Sequence, residues 1–371
     1  MATEPRNVPF FNYPALFMSQ KDELLGIFND VMSRGAYILQ KDLKDFEAAL
    51  AKYLKVKHAF GMADGTNAIQ LALRAAGVGP GDEVIVPSHT FIASVSPIQA
   101  LGGTPVLVEC QADHMVDPAA MEAAVTAKTK VLMPVHLNGR TCNMDAIQKI
   151  ATKHNLKIVE DAAQGLGSTY KGKAAGTFGI AGTFSFYPAK SLGSFGDGGA
   201  LVTNDDAVAE KVEMWRDHGR NKEGLIVDWG TNCRLDNIQA AVLNFKLKHF
   251  PKDVARRREL ASLYNKRLGG IKDLALPPGP DSDPDYFDSY QNYEIEAARR
   301  DELKLFLEKN GVRTIQQWGG HAVHQFKDLG FKVQLPKTTL MTSRFLLLPM
   351  NTSLSNDDVS YICDLIQKFY S

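Results

Sequence analysis

The chain has 371 residues, 44% of them hydrophobic, and its 42 basic side chains are balanced by 42 acidic ones. That supplies apolar material for a sizeable core in about two domains of roughly 150 residues each, and it argues against disorder. The absence of net charge leaves no global field to attract a polyanion such as nucleic acid.

Residues 1–9 lack the basic stretch and apolar core of a leader peptide, and no run of about 18 uncharged apolar residues follows that would cross a membrane. From 21 to 54 the apolar positions recur at helical spacing, and Ser33-Arg34-Gly35 divides the run into two helices. Strand and helix then alternate: helix 66–76, strand 83–87, helix 90–101, strand 105–108, strand 131–135, helix 144–154 and strand 157–160. The apolar residues of the last suit an interior parallel strand. Two more strands, 182–187 and 199–203, flank a glycine-dense bend. Beyond Phe250 the pattern turns to α+β. Arg256-Arg257-Arg258 sits among helix formers and reads as a solvated helix face. Residues 277–288, rich in Pro, Gly and Asp, read as a surface loop or hinge. The expected organisation is an α/β domain over 1–250, a mainly parallel sheet between helices, followed by a smaller α+β domain over 251–371. Cys110, Cys142, Cys233 and Cys363 lie far apart without metal-ligand spacing. Neither disulfides nor a metal site is expected, and a reducing cytoplasmic setting fits.

The chemistry concentrates around Lys190, in the run Ser185-Phe186-Tyr187-Pro188-Ala189-Lys190 that leads into Gly193, Gly196, Gly198 and Gly199. A lysine just past a strand, before a bend where the backbone allows close approach, suits a bulky ligand, although alone it reads as a surface residue. Upstream, the strand 157–160 delivers Asp161 to the carboxyl edge of the sheet, where ligands of open α/β sheets bind. An Asp there serves as an N-cap, or it holds the protonated pyridine nitrogen that pyridoxal phosphate (PLP) needs beside a lysine Schiff base. Asp64-Gly65-Thr66-Asn67 opens a helix whose free N–H groups and dipole make a phosphate seat, or else an ordinary cap. Ser185 adds a hydroxyl to that seat. Phe91, in Pro87-Ser88-His89-Thr90-Phe91, is placed to stack on a pyridine face or to fill the core.

With these pieces in order, the sequence resembles the DegT family of nucleotide-sugar aminotransferases within the fold-type I PLP enzymes. The likeness spans nearly the whole chain. It includes Gly35-Ala36-Tyr37-Ile38, Gly65-Thr66-Asn67-Ala68, Pro87 to Phe91, Pro134-Val135-His136-Leu137-Asn138-Gly139, Glu160-Asp161-Ala162-Ala163-Gln164, the Lys190 segment, Asn232-Cys233-Arg234-Leu235-Asp236 and Gln239-Ala240. The resemblance implies the fold-type I architecture, with Lys190 carrying the cofactor, Asp161 on the ring nitrogen, Gln164 near the ring hydroxyl and Phe91 on the ring face. It places Gly65, Thr66, Asn67 and Ser185 around the phosphate, and Asn232 against the phosphate of a neighbouring subunit in a homodimer with shared sites. Tyr37, Tyr187 and His324 match sugar-pocket positions. Gln40 stands where a glycine is usual, and Gln316-Gln317-Trp318-Gly319-Gly320 replaces an aromatic, proline-rich stretch. The implied reaction moves nitrogen from L-glutamate, through pyridoxamine 5′-phosphate, to a keto sugar on dTDP, UDP or GDP. Dehydration of a sugar on the same scaffold, and a non-catalytic PLP-binding regulator, stay open as alternatives. A nicotinamide dehydrogenase is disfavoured because the first third of the chain has no GxGxxG.

Overall fold

The computed structural model describes residues 6–371; residues 1–5, the start of the terminus read above for a leader, lie outside it. Seven strands build the main sheet: β1 (His58–Met62), β2 (Glu83–Pro87), β3 (Thr104–Val108), β4 (Thr129–Leu132), β5 (Lys157–Asp161), β6 (Ala181–Ser185) and β7 (Gly199–Thr203). Their order across the sheet is β1-β7-β6-β5-β4-β2-β3. From β6 to β3 all neighbours are parallel, while β7 runs antiparallel to both β6 and β1. Val84, Ile85, Val131, Leu132 and Val159 are fully buried, as expected for parallel strands covered on both faces.

The covering helices are α1 (Lys41–Leu54), α2 (Gly65–Ala75), α3 (Met144–His154) and the long α4 (Asn237–Leu268). Because side chains alternate along a strand, β7 divides between two cores. Leu201 joins the core that takes Leu71 of α2 and Ile147 of α3. Ala200 and Val202 join the one filled by Phe46 of α1 and Phe250 of α4. A third core belongs to the C-terminal part, where β8 (Tyr293–Ala297) and β9 (Phe345–Leu348) pair antiparallel beneath α5 (Asn356–Tyr370). It also takes in Val8 and the Leu260 and Tyr264 of α4, which runs unbroken through residue 250.

Three expectations are corrected. The helix predicted over 90–101 is broken into a 3₁₀ turn (Ile92–Ser94) and a short helix (Ser96–Ala100). Pro97, in the first turn of the second, has no N–H with which to continue the first. The arginine triplet is not a solvated face. Arg257 is buried, and its Nη1 donates to the carbonyls of Tyr290, Gln291 and Met350 at 3.2, 3.1 and 2.7 Å. Arg256 donates to the Leu354 carbonyl and Arg258 to that of Asp288, at 2.6 and 2.9 Å. α4 spans two cores, and an arginine's many donors satisfy loop carbonyls that no ladder reaches. Residues 277–288 form a free loop only in part, since Tyr286–Phe287 pairs with Thr169–Tyr170 and Asp288 is buried against Arg140 at 2.6 Å. Among the described residues no helix is long and apolar enough to cross a membrane, and all four cysteines are buried and free.

Candidate active site

The strands β1, β2, β5 and β6 end on one edge of the sheet. Gly65, Thr66, Phe91, Asp161, Gln164, Ser185, Tyr187 and Lys190, which follow those ends, line one cleft of about 560 Å³. Lys190 lies in the loop between β6 and β7. Burial lowers its amine below the ordinary lysine pKa, with the Asp161 carboxylate pulling the other way. Asp161, last residue of β5, is buried. Ser94 Oγ donates to its Oδ2 at 2.6 Å and the Ala163 amide to its Oδ1 at 3.0 Å, which fixes the carboxylate plane. Ser94 ends the 3₁₀ turn and is buried.

At the end of β1 the chain enters α2 through Asp64, whose side chain accepts from the Asn67 amide at 2.8 Å and from Asn67 Nδ2 at 2.6 Å. Asn67 is thereby tied into the cap and does not line the cleft. Gly65 and Thr66 occupy the first helical positions, where amides have no intrahelical acceptor and the helix dipole favours an anion. The glycine at the start of β7 is required here: a Cβ on Gly199 would meet the Asp64 carbonyl oxygen at 2.5 Å and the Gly65 nitrogen at 2.7 Å.

Gln164 is held by three partners. Its Oε1 accepts from the Asn138 amide at 2.9 Å and Asn292 Nδ2 at 3.2 Å, and its Nε2 donates to Gln317 Oε1 at 3.2 Å. Trp318, in the departing 316–320 segment, closes one wall of the cleft. Its φ of 49° lies in the left-handed region, an uncommon state for a bulky residue. Its ring lies 6.5 Å from Phe91 and 5.1 Å from His89. Tyr37, Asn232 and His324 do not line this cleft. Tyr37 and Asn232 are exposed. His324 is bound to Ser88 Oγ at 2.7 Å and Thr339 Oγ1 at 2.9 Å, and burial lowers its pKa against the pull of Glu109. Ser94, Asp197 and Trp318 are cleft residues that sequence reasoning did not assign; only Trp318 carried a signal, as part of the unusual stretch.

Behind Trp318 lies a second charged cluster. Glu294 of β8 is buried and accepts from Asn138 Nδ2 at 3.0 Å and Gln317 Nε2 at 2.7 Å. His114 Nδ1 meets it at 2.6 Å and His89 Nε2 at 3.2 Å. Burial alone would raise Glu294, but His89 and His114 hold it well below the carboxylate range. Burial would lower His114, yet Glu294 and Glu296 lift it to about 10. The three side chains come within metal-ligating reach of one another; His114, bonded through both ring nitrogens to carboxylates, has no lone pair left for a cation, so the cluster reads as a buried ion pair.

The cleft residues fit PLP. They provide an amine softened by burial, a carboxylate held in plane for a ring nitrogen, and a helix end with free amides for a phosphate.

The profile of the "DegT/DnrJ/EryC1/StrS aminotransferase family" matches residues 19–367. The chain is similar to a "Pleiotropic regulatory protein" of Geobacillus stearothermophilus, 40% identical over 98% of this chain and 99% of the relative. It is also similar to a dTDP-3-amino-3,4,6-trideoxy-alpha-D-glucose transaminase of Streptomyces venezuelae, 39% identical over 99% of this chain and 97% of the relative. Among solved structures, S. venezuelae DesV in complex with a ketimine intermediate superposes with a TM-score of 0.94 at 38% identity, covering 100% of this chain and 99% of that one.

Proposed function

The chain belongs to the DegT/DnrJ/EryC1/StrS aminotransferase family, and from that premise we propose that it transfers an amino group from L-glutamate to a keto sugar carried on a nucleoside diphosphate. Its cofactor is pyridoxal phosphate. When bound, that group supplies the electron sink for loss of the donor's α-proton. The observation that carries the reading is the convergence of Lys190, Asp161 and the Gly65–Thr66 helix end, from three different strand ends, on one cleft.

Within it, Lys190 is the carrier and, once released, the base: burial lowers its pKa, which favours the free amine that moves a proton. Asp161, oriented by Ser94 and Ala163, keeps a ring nitrogen protonated. Gly65, Thr66 and Ser185 hold the phosphate, Gln164 the ring hydroxyl, and Phe91 the ring face. Tyr187 reaches the acceptor.

The working assembly is a homodimer. Asn232 is exposed and outside its own chain's cleft. On the segment before it, Ile226 and Trp229 are 70% and 88% exposed, an apolar surface that another subunit would cover. In that assembly Asn232 reaches the partner's phosphate, and Tyr37 and His324 complete the sugar pocket. The cofactor domain runs to residue 250 and the smaller one takes 251–371, with Val8 packed into the smaller domain's core. Four buried, free thiols favour the cytoplasm.

The test is spectroscopic. With PLP the protein should show the absorbance of a lysine-linked cofactor, and borohydride should fix the cofactor on the Lys190 peptide. L-Glutamate should bleach the band, and a keto-sugar nucleotide should restore it. A chain that binds PLP without that band, or whose band no amino donor bleaches, would sink the proposal.

A further inference from the structure

The loop that carries Lys190 is poorly supported by its own strands. β6 ends at Ser185 and β7 starts at Gly199. Between them the backbone bonds are few, chiefly Phe186 N to Gly198 O at 2.7 Å, Lys190 N to Tyr187 O at 2.8 Å and Ser194 N to Phe186 O at 2.8 Å. Of these only the Lys190 N–H bond touches a peptide flanking Lys190, and none holds the Ala189 carbonyl or the Ser191 amide. That task falls to one side chain from the C-terminal part. Gln291, two residues before β8, donates through Nε2 to the Ala189 carbonyl at 2.9 Å. Its Oε1 accepts from the Ser191 amide at 2.5 Å and from Ser191 Oγ at 2.7 Å. A single primary amide thus grips the residue before Lys190 and the residue after it.

Gln291 is itself fixed. Its side chain is buried, and its carbonyl accepts from Arg257 Nη1 at 3.1 Å. Its backbone lies hard against the loop after β4, where Gly139 has a φ of +88° and a Cβ would meet Gln291 N at 2.5 Å. The anchor therefore runs from α4 and the 138–139 loop through Gln291 to Lys190. A lysine side chain is long and loses rotamer entropy when held, so where its amine sits depends on how firmly its Cα is placed.

Resting on the reading of Lys190 as the cofactor lysine, we propose that Gln291 is a positioning residue for it. Gln291 touches neither cofactor nor substrate; it sets the direction from which the Lys190 amine approaches the cofactor aldehyde. It also ties that direction to the seating of the C-terminal part on the sheet.

The test adds PLP to the apoprotein and follows growth of the lysine-linked absorbance. Gln291→Met keeps the length and removes all three bonds. The rate of absorbance growth should fall about 10- to 100-fold, the scale set by misplacing a reacting group by roughly 1 Å. The pH midpoint of the band should shift as well. Ser191→Ala removes only the hydroxyl bond and should slow growth by about 2- to 10-fold. It covers the case in which Gln291→Met does not fold. In a Lys190→Ala background, Gln291→Met should leave PLP affinity unchanged, because the phosphate seat and Asp161 are untouched.

An unchanged rate in Gln291→Met, or in Ser191→Ala where the former is unfolded, overturns the proposal. So does an equal loss of PLP affinity in the Lys190→Ala background, which would mark a general disturbance of the cleft. If the unsubstituted chain forms no lysine-linked band at all, it is the cofactor reading that fails, and the two failures are separate.

Discussion

The cleft and the Glu294 cluster lie on either side of Trp318, and both are built from ionisable side chains, yet they handle charge in opposite ways. Around Glu294 each charge is met: four donors converge on one carboxylate, and His114 bridges it to Glu296 at 3.2 Å. In the cleft the Lys190 amine has no hydrogen-bond partner among the described residues, and the opposing Asp161 carboxylate accepts from Ser94 and Ala163. The first is strong because the carboxylate's acceptors are taken; the second is reactive because its amine is left open to a ligand. Strongly shifted ionisable groups therefore mark both a structural knot and a chemical site, and satisfaction of the partners tells them apart.

The largest effect that would break this comparison is at Lys190. Lys190→Ala should lower turnover by about 10⁴-fold or more, since both the carrier and the base are lost, while the melting temperature stays close to that of the parent. Turnover assays alongside thermal denaturation decide it. A variant that melted early but turned over normally would place Lys190 in the structural class instead.

Glu294→Ala should do the reverse. Removing one partner of a buried pair leaves His114 with Glu296 as its one remaining counter-charge, at a cost of about 3 kcal/mol in urea denaturation. PLP affinity of the protein that remains folded should hold. Acid–base linkage gives the same knot a pH signature. Because His114 is raised from 6.5 to about 10 in the folded chain, its contribution is full below about pH 6.5, declines as pH rises, and is gone above about 10. The lowered Glu294 adds stability above the ordinary carboxylate range and loses it only in acid. The parent should therefore weaken between pH 7 and 10, measured as urea midpoints, and Glu294→Gln should flatten that slope. Equal slopes in the two proteins would remove His114–Glu294 as its source.

The two regions also differed in how far the sequence revealed them. Lys190 and Asp161 each sit directly after a strand pattern, so their shared edge followed from the α/β alternation; β1, which precedes Gly65-Thr66, is not among the strands that pattern predicts, and that segment was legible only as a helix start. Glu294 is 205 residues from His89 and 180 from His114. The alternation Tyr293-Glu294-Ile295-Glu296 looks like a strand with a wet face, and nothing local says that this face is covered by another part of the chain. The arginine triplet misled in the same way, because the acceptors of Arg257 are loop carbonyls 33 to 93 residues away. The broken 90–101 segment had a readable cause in Pro97, but the inward turn of Ser94 depends on where β5 ends. Asn232 and Tyr37 were readable only through the resemblance, since one chain alone leaves them in solvent.

Ser94 stands between the two regions in kind, a neutral side chain whose whole effect passes through a charged one. Its Oγ lies 2.6 Å from Asp161 Oδ2 and 2.6 Å from Thr90 Oγ1, so the hydroxyl has one proton to give and the carboxylate is the better acceptor. Ser94→Ala leaves Asp161 with the Ala163 amide alone. A hydrogen bond to a charged group contributes about 1.5–3 kcal/mol, so turnover should drop about 10- to 150-fold, with little change in stability because the alanine methyl fits the same space. Thr90→Val removes only the bond to Ser94 and should cost less. Steady-state kcat for the two variants provides the comparison. If Thr90→Val proved the more damaging, Asp161 would owe its orientation to the 90–94 backbone and not to the Ser94 hydroxyl.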